Sequence, residues 1–385
     1  MRMRQYRDKR FGKIFSNSKH ASKRKNTMAE ESNLQSTSYD LLSADDPGSV
    51  LDALVAMGVC ESTESISQVA KAGEGNMNLV LRVTTDARSV IVKQARPWVE
   101  KYPSIAAPDE RIVSEIEFYR SISDASQVRT AMPSVLAFDA EKRILVLEDL
   151  GTASDYAMLY RSDVESSEVD SVFELAIDWV SKLHATDTQG NQNLGCKPLR
   201  SLNHQHIFSI PLSDPPAIDL DAVCSGLTKA SRAICSDETI QQAMTKLGEI
   251  YLEADTSNSS KALLHGDYYP GSWLKTEAGF RVIDPEFCFC GPREFDLGVL
   301  AAHWIFCGGK ADSSTIDKVI QTSVASNDNT NQVLRDLVLG FAGAELIRRQ
   351  TGVAQLPLEA DLDRRTQWIE CGVNFLKQQV KDSST

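Results

Sequence analysis

Two acidic residues stand in segments that read as the ends of short strands: Asp267 in LLHGDYYPGSWLK and Asp284 in VIDPEFCFCGPREFD. A carboxylate on a loop after a buried strand can accept the proton of an attacking hydroxyl and aim that oxygen at an electrophile. A second carboxylate after a neighbouring strand suits a hard cation, since Mg²⁺ takes oxygen ligands and usually only one or two protein carboxylates. Asp267 is therefore the candidate base. Asp284 is the candidate metal ligand, with Glu286 as an accessory ligand.

Upstream, AGEGNMN places Gly73 and Gly75 between two strands. Glycines there let backbone N–H groups approach an anion, although an ordinary β-turn also asks for glycine. No G-K-[ST] follows, so this is not a Walker loop, and no helix follows, so it is not a Rossmann fingerprint. Lys93 lies in VIVKQA, one hairpin later. A lone lysine at a strand edge is usually solvated, yet a lysine in this order can orient nucleotide phosphates. Glu115 on the next predicted helix could pair with it and hold the ammonium over those phosphates, with Glu110 and Glu117 as competitors. The nucleotide-binding set is thus Gly73, Gly75, Asn76 and Asn78 of the turn, Lys93, Glu115, and Glu148 and Leu150 of the EDL segment.

These residues need elements to carry them. A short helix is predicted around Val50 to Met57. NLVLRV alternates apolar positions, SVIVKQA reads as the next strand, and TTDAR is the turn between them. PDERIVSEIEFYRSISDA is predicted helical, with Ile112, Ile116 and Tyr119 on one stripe and Pro108 and Asp109 in the first turn. RILVLEDLG reads as a buried strand. Beyond Leu150 the pattern is mostly helical: SSEVDSVFELAIDWVSKLHATD, DAVCSGLTKASRAI and ETIQQAMTKLGEIYLEA. DTSNSS and SNDNTNQ read as surface loops, and no internal repeat appears. The order predicts an α+β, bilobal chain: a basic extension over 1–27, a β-rich N-lobe over 28–150 and a helical C-lobe over 151–385. A cleft between two lobes is a usual place for a ligand.

Composition narrows the class. The formal charge is −12 over 385 residues, which argues against a nucleic-acid-binding body. The charge is uneven, because residues 1–27 hold ten Lys or Arg and one Asp. That head reads as a disordered tail or an upstream start ahead of Met28, as a targeting peptide, or as a polyanion-binding arm. No apolar run of spanning length exists, so no membrane partner is expected. The eight cysteines are scattered, and Cys288 and Cys290 are too close for a zinc knuckle, which fits reduced thiols in a cytoplasmic protein. His204, His206 and His303 lack carboxylate-rich spacing and read as surface or packing histidines.

The ordered set of glycine turn, Lys93, Glu115, EDL, HGD, DPE and Asp296 resembles the aminoglycoside phosphotransferase and choline kinase-like superfamily, whose members share a protein-kinase-like bilobal fold. Within it the chain is most similar to the 5-methylthioribose kinase family. GEGNMNLVLRV with VIVKQARPWV, HGDYYPGSW, IDPEFCFCGPREFDLG and GAELIRRQTGVAQ carry the likeness, from about Lys71 to Ala354. Ser272 stands where aminoglycoside kinases carry Asn. The resemblance implies transfer of the ATP γ-phosphate to the C1 hydroxyl of a thiosugar in methionine salvage. It implies Mg²⁺ on Asp284 and Glu286, Asp267 as base, and Arg348 and Arg349 serving substrate and transferring phosphate; a helix C-terminal cap is the plainer reading of that pair. It also implies a homodimer. YYP in HGDYYPGS departs from the family's pattern, and LNHQHIFSIPLSDPPAID is only faintly similar to it. Another small sugar, an amino alcohol or an aminoglycoside is therefore the alternative acceptor. A nucleotide-holding pseudokinase is the alternative class, against which the retention of Lys93, Asp267 and Asp284 weighs.

Overall fold

The computed structural model describes residues 39–73, 77–187, 194–253, 261–325 and 335–382. The basic head, Gly75, Asn76 and the two predicted surface loops lie outside the described residues. Strands β1 (Ile66–Lys71), β2 (Leu79–Thr85) and β3 (Ser89–Gln94) form an antiparallel meander. It is completed by β6 (Val135–Asp139) and β7 (Ile144–Glu148) into a five-stranded sheet of order β1-β2-β3-β7-β6. The β2–β3 turn is closed by Thr85, whose hydroxyl accepts from the N–H groups of Ala87 and Arg88 and donates to Glu64 Oε2.

Among the N-terminal strands, two features go beyond the sequence reading. A small hairpin, β4 (Trp98–Val99) with β5 (Tyr102–Ala106), interrupts the path to the helix. The strand β6 is the other, and its half-buried residues carry little alternation to mark it.

Both faces of this sheet are covered, and strand parity decides what each side chain meets. Ile144 and Val146 of β7 pack with helix α1 (Pro47–Ala56), through Val50 and Leu54. Leu145 and Leu147 face the other way, toward helix α2 (Arg111–Ser121), through Ile112 and Ile116. Helix α2 opens at Arg111 rather than at Pro108. The apolar stripe read for it is nonetheless its buried face, with Ile112, Ile116 and Tyr119 all inside.

The C-terminal part is helical around short hairpins. Strand β8 (Ala153–Asp155) crosses over to pair with β10 (Trp273–Thr276), which pairs with β11 (Gly279–Val282). Strands β9 (Ala262–Leu264) and β12 (Phe289–Gly291) form a second pair. The helices longer than one turn are α3 (Ser166–His184), α4 (Lys197–His204), α5 (Leu227–Cys235), α6 (Glu238–Leu252), α7 (Glu294–Phe306), α8 (Ser313–Ala325), α9 (Arg335–Thr351) and α10 (Leu362–Asp382). Helix α9 is buried along most of its length between α7 and α10. It approaches α10 closely because neither contact residue has a side chain: a Cβ on Gly343 would lie 2.8 Å from the carbonyl of Gly372. No helix among the described residues is long and apolar enough to cross a membrane. All eight cysteines are free.

Candidate active site

Lys93 is placed by the parity of β3. Val90 and Val92 point to the α1 side, so Ile91 and Lys93 point to α2. There Glu115 occupies a position inside the apolar stripe, one turn from Ile112 and Tyr119. The Lys93 ammonium donates to both Glu115 oxygens, at 2.7 and 2.8 Å, and to Asp284 Oδ1 at 2.7 Å. Burial alone would lower the lysine, but the carboxylates of Asp284 and Glu115 outweigh it and keep it charged. Of the competing glutamates, Glu117 faces outward to Arg120, and Glu110 sits at the helix start. The Lys93 side chain is 3% exposed and Glu115 0%. Removing one partner leaves an uncompensated buried charge, so Lys93→Met is expected to cost about 3 kcal/mol or more of folding stability. Urea unfolding checks this, and a midpoint unchanged from the wild type would show the pair to be dispensable to the fold.

Asp267 and Asp284 lie on loops that are bonded to each other. The Ile283 N–H donates to the Ser272 carbonyl at 3.0 Å, and His265 Nε2 reaches the Ile283 carbonyl at 3.0 Å. Gly266 has φ +85°, and a Cβ there would fall 2.0 Å from the carbonyl of Phe287. Only glycine allows the two loops this contact. Asp296, on the first turn of α7, accepts the N–H groups of His265 at 2.8 Å and Gly266 at 3.1 Å. The acidic residue of the FDLG segment therefore holds the HGD backbone in place from below. Ser272 is buried, and its hydroxyl donates to the Asp267 carbonyl at 2.9 Å, closing the same loop. The Asp267 side chain is 25% exposed, and its Oδ1 accepts one long bond from Arg349 Nη2, 3.4 Å. Desolvation by the cleft walls raises its carboxyl above the ordinary range, against the pull of Arg349 and Arg348.

Asp284 adopts a left-handed conformation, φ 64°, which Asp tolerates better than most residues. Its side chain is 47% exposed, while Glu286 is buried. Glu286 Oε2 accepts from Asn78 Nδ2 at 2.9 Å and lies 3.5 Å from Arg111 Nε. Burial pushes its carboxyl up to about 7, against the pull of Arg111 and Lys93. Asn78, expected beside the nucleotide, has both ends of its amide engaged, since its Oδ1 accepts from Arg111 Nε at 2.8 Å. Arg111 was not anticipated. It is fully buried and donates to the carbonyls of Met77, Arg96, Trp98 and Pro108, tying the end of the glycine turn to the start of α2. The donor set fits a hard divalent cation: one accessible carboxylate beside a second, all oxygen.

Arg348 and Arg349 are not at a solvated helix end. Both are buried, and a further residue the motifs did not expose, Glu345, binds them. Arg348 Nη1 donates to its Oε2 at 3.0 Å, and Arg349 Nε donates to its Oε1 at 2.5 Å. The plain C-terminal cap reading of the pair is therefore replaced by an internal ion cluster. Burial alone would raise Glu345, but the two guanidiniums and His303 hold it well below the carboxylate range. His303 is fully buried, not a surface residue, and connects Glu345 to Tyr160. Tyr269, the second tyrosine of YYP, lies under the Arg349 guanidinium at 4.9 Å and against His303 at 5.2 Å. His204 and His206 pack within the C-terminal part, and no group of three or more His, Cys, Asp or Glu side chains gathers as a metal site among the described residues.

At the connection between the lobes, Glu148 receives the Ser134 N–H on Oε2 at 3.0 Å. Its neighbour Asp149 is clamped by Arg82 at 2.9 Å and by Ser89 at 2.6 Å, which steadies the EDL turn through Leu150. Gly73, at φ +74°, opens the glycine turn with space for a Cβ but not the backbone preference for one. The structure thus joins Lys93, Glu115 and Asp284 directly and pairs Asp267 with Arg349 on the adjoining loop, the two loops being tied through Ile283, Ser272 and His265. Glu286 and Asn78 lie behind the first group.

The model of the phosphotransferase enzyme family matches residues 68–313, more than half of the chain. Methylthioribose kinase of Exiguobacterium sibiricum is 27% identical over 343 residues, covering 76% of this chain and 80% of its own. Methylthioribose kinase of Bacillus velezensis is 25% identical, covering 81% of this chain and 84% of its own. Among solved structures, one from Ralstonia eutropha, described as a candidate aminoglycoside phosphotransferase, superposes with a TM-score of 0.51 at 14% identity. It covers 86% of this chain and 98% of its own length, and supports the fold.

Proposed function

Because the chain belongs to the phosphotransferase enzyme family, we propose that it moves the γ-phosphate of ATP to a hydroxyl of 5-methylthioribose. The small-molecule kinase activity follows from the family. The sugar rests on the curated relatives, which are 25–28% identical where most similar and carry that substrate in their names.

The observation that carries the reading is the bridge from Lys93 to Glu115 and Asp284, set beside a loop that offers Asp267. Lys93, fixed by Glu115, orients the phosphates of the nucleotide as a point charge. Glu148 and Leu150, at the connection between the lobes, would flank the adenine of the nucleotide. Asp284, with Glu286 behind it, would hold Mg²⁺; when bound, the cation supplies neutralisation of phosphate charge. Asp267 receives the proton of the acceptor hydroxyl as that oxygen bonds to the γ-phosphorus. The bond from that phosphorus to the bridging oxygen breaks, and ADP leaves. Arg348 and Arg349 offset charge on the phosphoryl oxygens and contact the acceptor. Their charge also disfavours a cationic acceptor in the same pocket.

The test offers purified protein and Mg-ATP to methylthioribose, other ribose analogues, choline and aminoglycosides, and follows ADP release. Methylthioribose is expected to give the highest kcat/KM. Preferential turnover of choline or an aminoglycoside would replace the acceptor, and no turnover of any of them would remove the kinase reading.

A further inference from the structure

We propose that Glu345, backed by His303 and Tyr160, is a positioning residue that holds both cleft arginines so that Asp267 remains a usable base. The proposal rests on the reading above, in which Asp267 takes the acceptor proton and the arginines face the transferring phosphoryl group.

The geometry is a chain of donors converging on one carboxylate. Glu345 sits on α9 three and four residues before the two arginines, so one helical face carries all three. Its side chain is 1% exposed. Oε2 takes Arg348 Nη1, and Oε1 takes Arg349 Nε and His303 Nε2, the last at 3.1 Å. Burial and the arginines lower His303 to about 4, so the ring is neutral. With its proton on Nε2 for Glu345, Nδ1 is left to accept, and the Tyr160 hydroxyl donates to it at 2.6 Å. Tyr160, His303, Glu345 and Arg349 are then linked in one run of hydrogen bonds, which fixes the arrangement on the Arg349 side, while Arg348 holds Glu345 through Nη1 and keeps a buried Nε without a partner.

The consequence appears at Asp267. Arg349 has its Nε bound to Glu345 and its Nη1 on the Ala354 carbonyl, and it reaches Asp267 only with Nη2, at 3.4 Å. A cation released from Glu345 could close on Asp267 in the two-pronged geometry that arginine and carboxylate prefer. An opposite charge at that range depresses a carboxylate by roughly 1–3 pKa units and so weakens it as a base. Glu345 and Asp267 together balance Arg348 and Arg349 before the phosphate arrives. The charged and titratable groups facing Asp267 are Arg349, Arg348, Glu345 and His265, with Tyr269 beside them.

The test compares wild type, Glu345→Gln and Tyr160→Phe in steady-state phosphorylation of the sugar across pH. Glu345→Gln is expected to lower kcat about 10- to 100-fold, in the range for loss of a group that orients a functional residue. It should leave KM for ATP unchanged and move the acid limb of the pH profile to lower pH. Tyr160→Phe, which keeps the carboxylate and removes only the hydroxyl behind His303, should shift the limb in the same direction by less. A purely structural Glu345 would lower the yield of active protein and leave the limb where it is. If Glu345→Gln does not fold, the Tyr160→Phe profile decides: a limb identical to wild type overturns the proposal. Wild type that phosphorylates no sugar, or Asp267→Asn with full turnover, would instead overturn the reading beneath it.

Discussion

Asp267→Asn is expected to abolish turnover for practical purposes, with kcat falling roughly 10²- to 10⁴-fold, the usual contribution of a positioned proton acceptor. The substitution removes basicity and little else. The amide oxygen can still accept the long bond from Arg349, and the Ser272 hydroxyl holds the loop through the backbone carbonyl, which is unchanged. Affinity for ATP should stay near wild type, because Lys93, Glu115 and Asp284 are untouched. In the wild type the same assignment fixes a pH dependence. A protonated Asp267 cannot take the acceptor proton, and cleft burial raises its carboxyl. Activity should therefore be lost as pH falls through a value above the ordinary carboxylate range. Single-turnover kinetics with calorimetric nucleotide binding separates the two effects. An Asn variant within tenfold of wild-type kcat would mean that another group takes the proton.

Asp284→Asn should be nearly as damaging, through a different step. Loss of the accessible carboxylate is expected to lower kcat/KM for Mg-ATP on the order of 10³-fold, equivalent to about 4 kcal/mol of charge stabilisation. Asn is the informative replacement, because it tolerates the left-handed backbone at φ 64° that most side chains resist. Lys93 keeps both contacts to Glu115, so the buried pair survives and the fold should hold. Binding of a non-hydrolysable ATP analogue, titrated with and without Mg²⁺, reads the effect directly. A variant whose metal dependence overlays that of the wild type would exclude Asp284 as the ligand. Comparison with Asp267→Asn also tests the division of labour, since only the Asp284 change should act on nucleotide binding.

How far the sequence carries the site depends on the range of the interaction. The sequence offered Glu115 as the partner of Lys93 but left Glu110 and Glu117 open; the structure selects Glu115, because strand parity turns Lys93 toward α2 and Glu115 lies on the buried stripe of that helix. The strand pattern also gave the meander and the buried β7. The hairpin over 98–106 and the strand β6 were not legible, because a two-residue strand and a half-buried edge carry no period. Asn78 illustrates a different limit. Its place in the glycine turn suggested a phosphate contact, but its amide is spent on Glu286 and Arg111, residues far away along the chain. Arg111 carried no signal in the sequence, because most of its partners are backbone carbonyls that no side-chain pattern encodes.

The residue types and their order along the chain pointed by themselves to a two-lobed phosphotransferase and singled out Asp267 and Asp284 as its candidate acids. Local hydrogen bonding and hydrophobic periodicity act over a few residues, and the motifs are short enough to lie within that range. Only the tertiary structure decided that Arg348 and Arg349 are gathered by Glu345, that His303 and Tyr160 stand behind them, and that Arg349 touches Asp267 with a single nitrogen. Those contacts join α9, α7, the Tyr160 turn and the HGD loop. A buried charge must find its counter-charge wherever packing places one, and packing is a property of the whole folded chain.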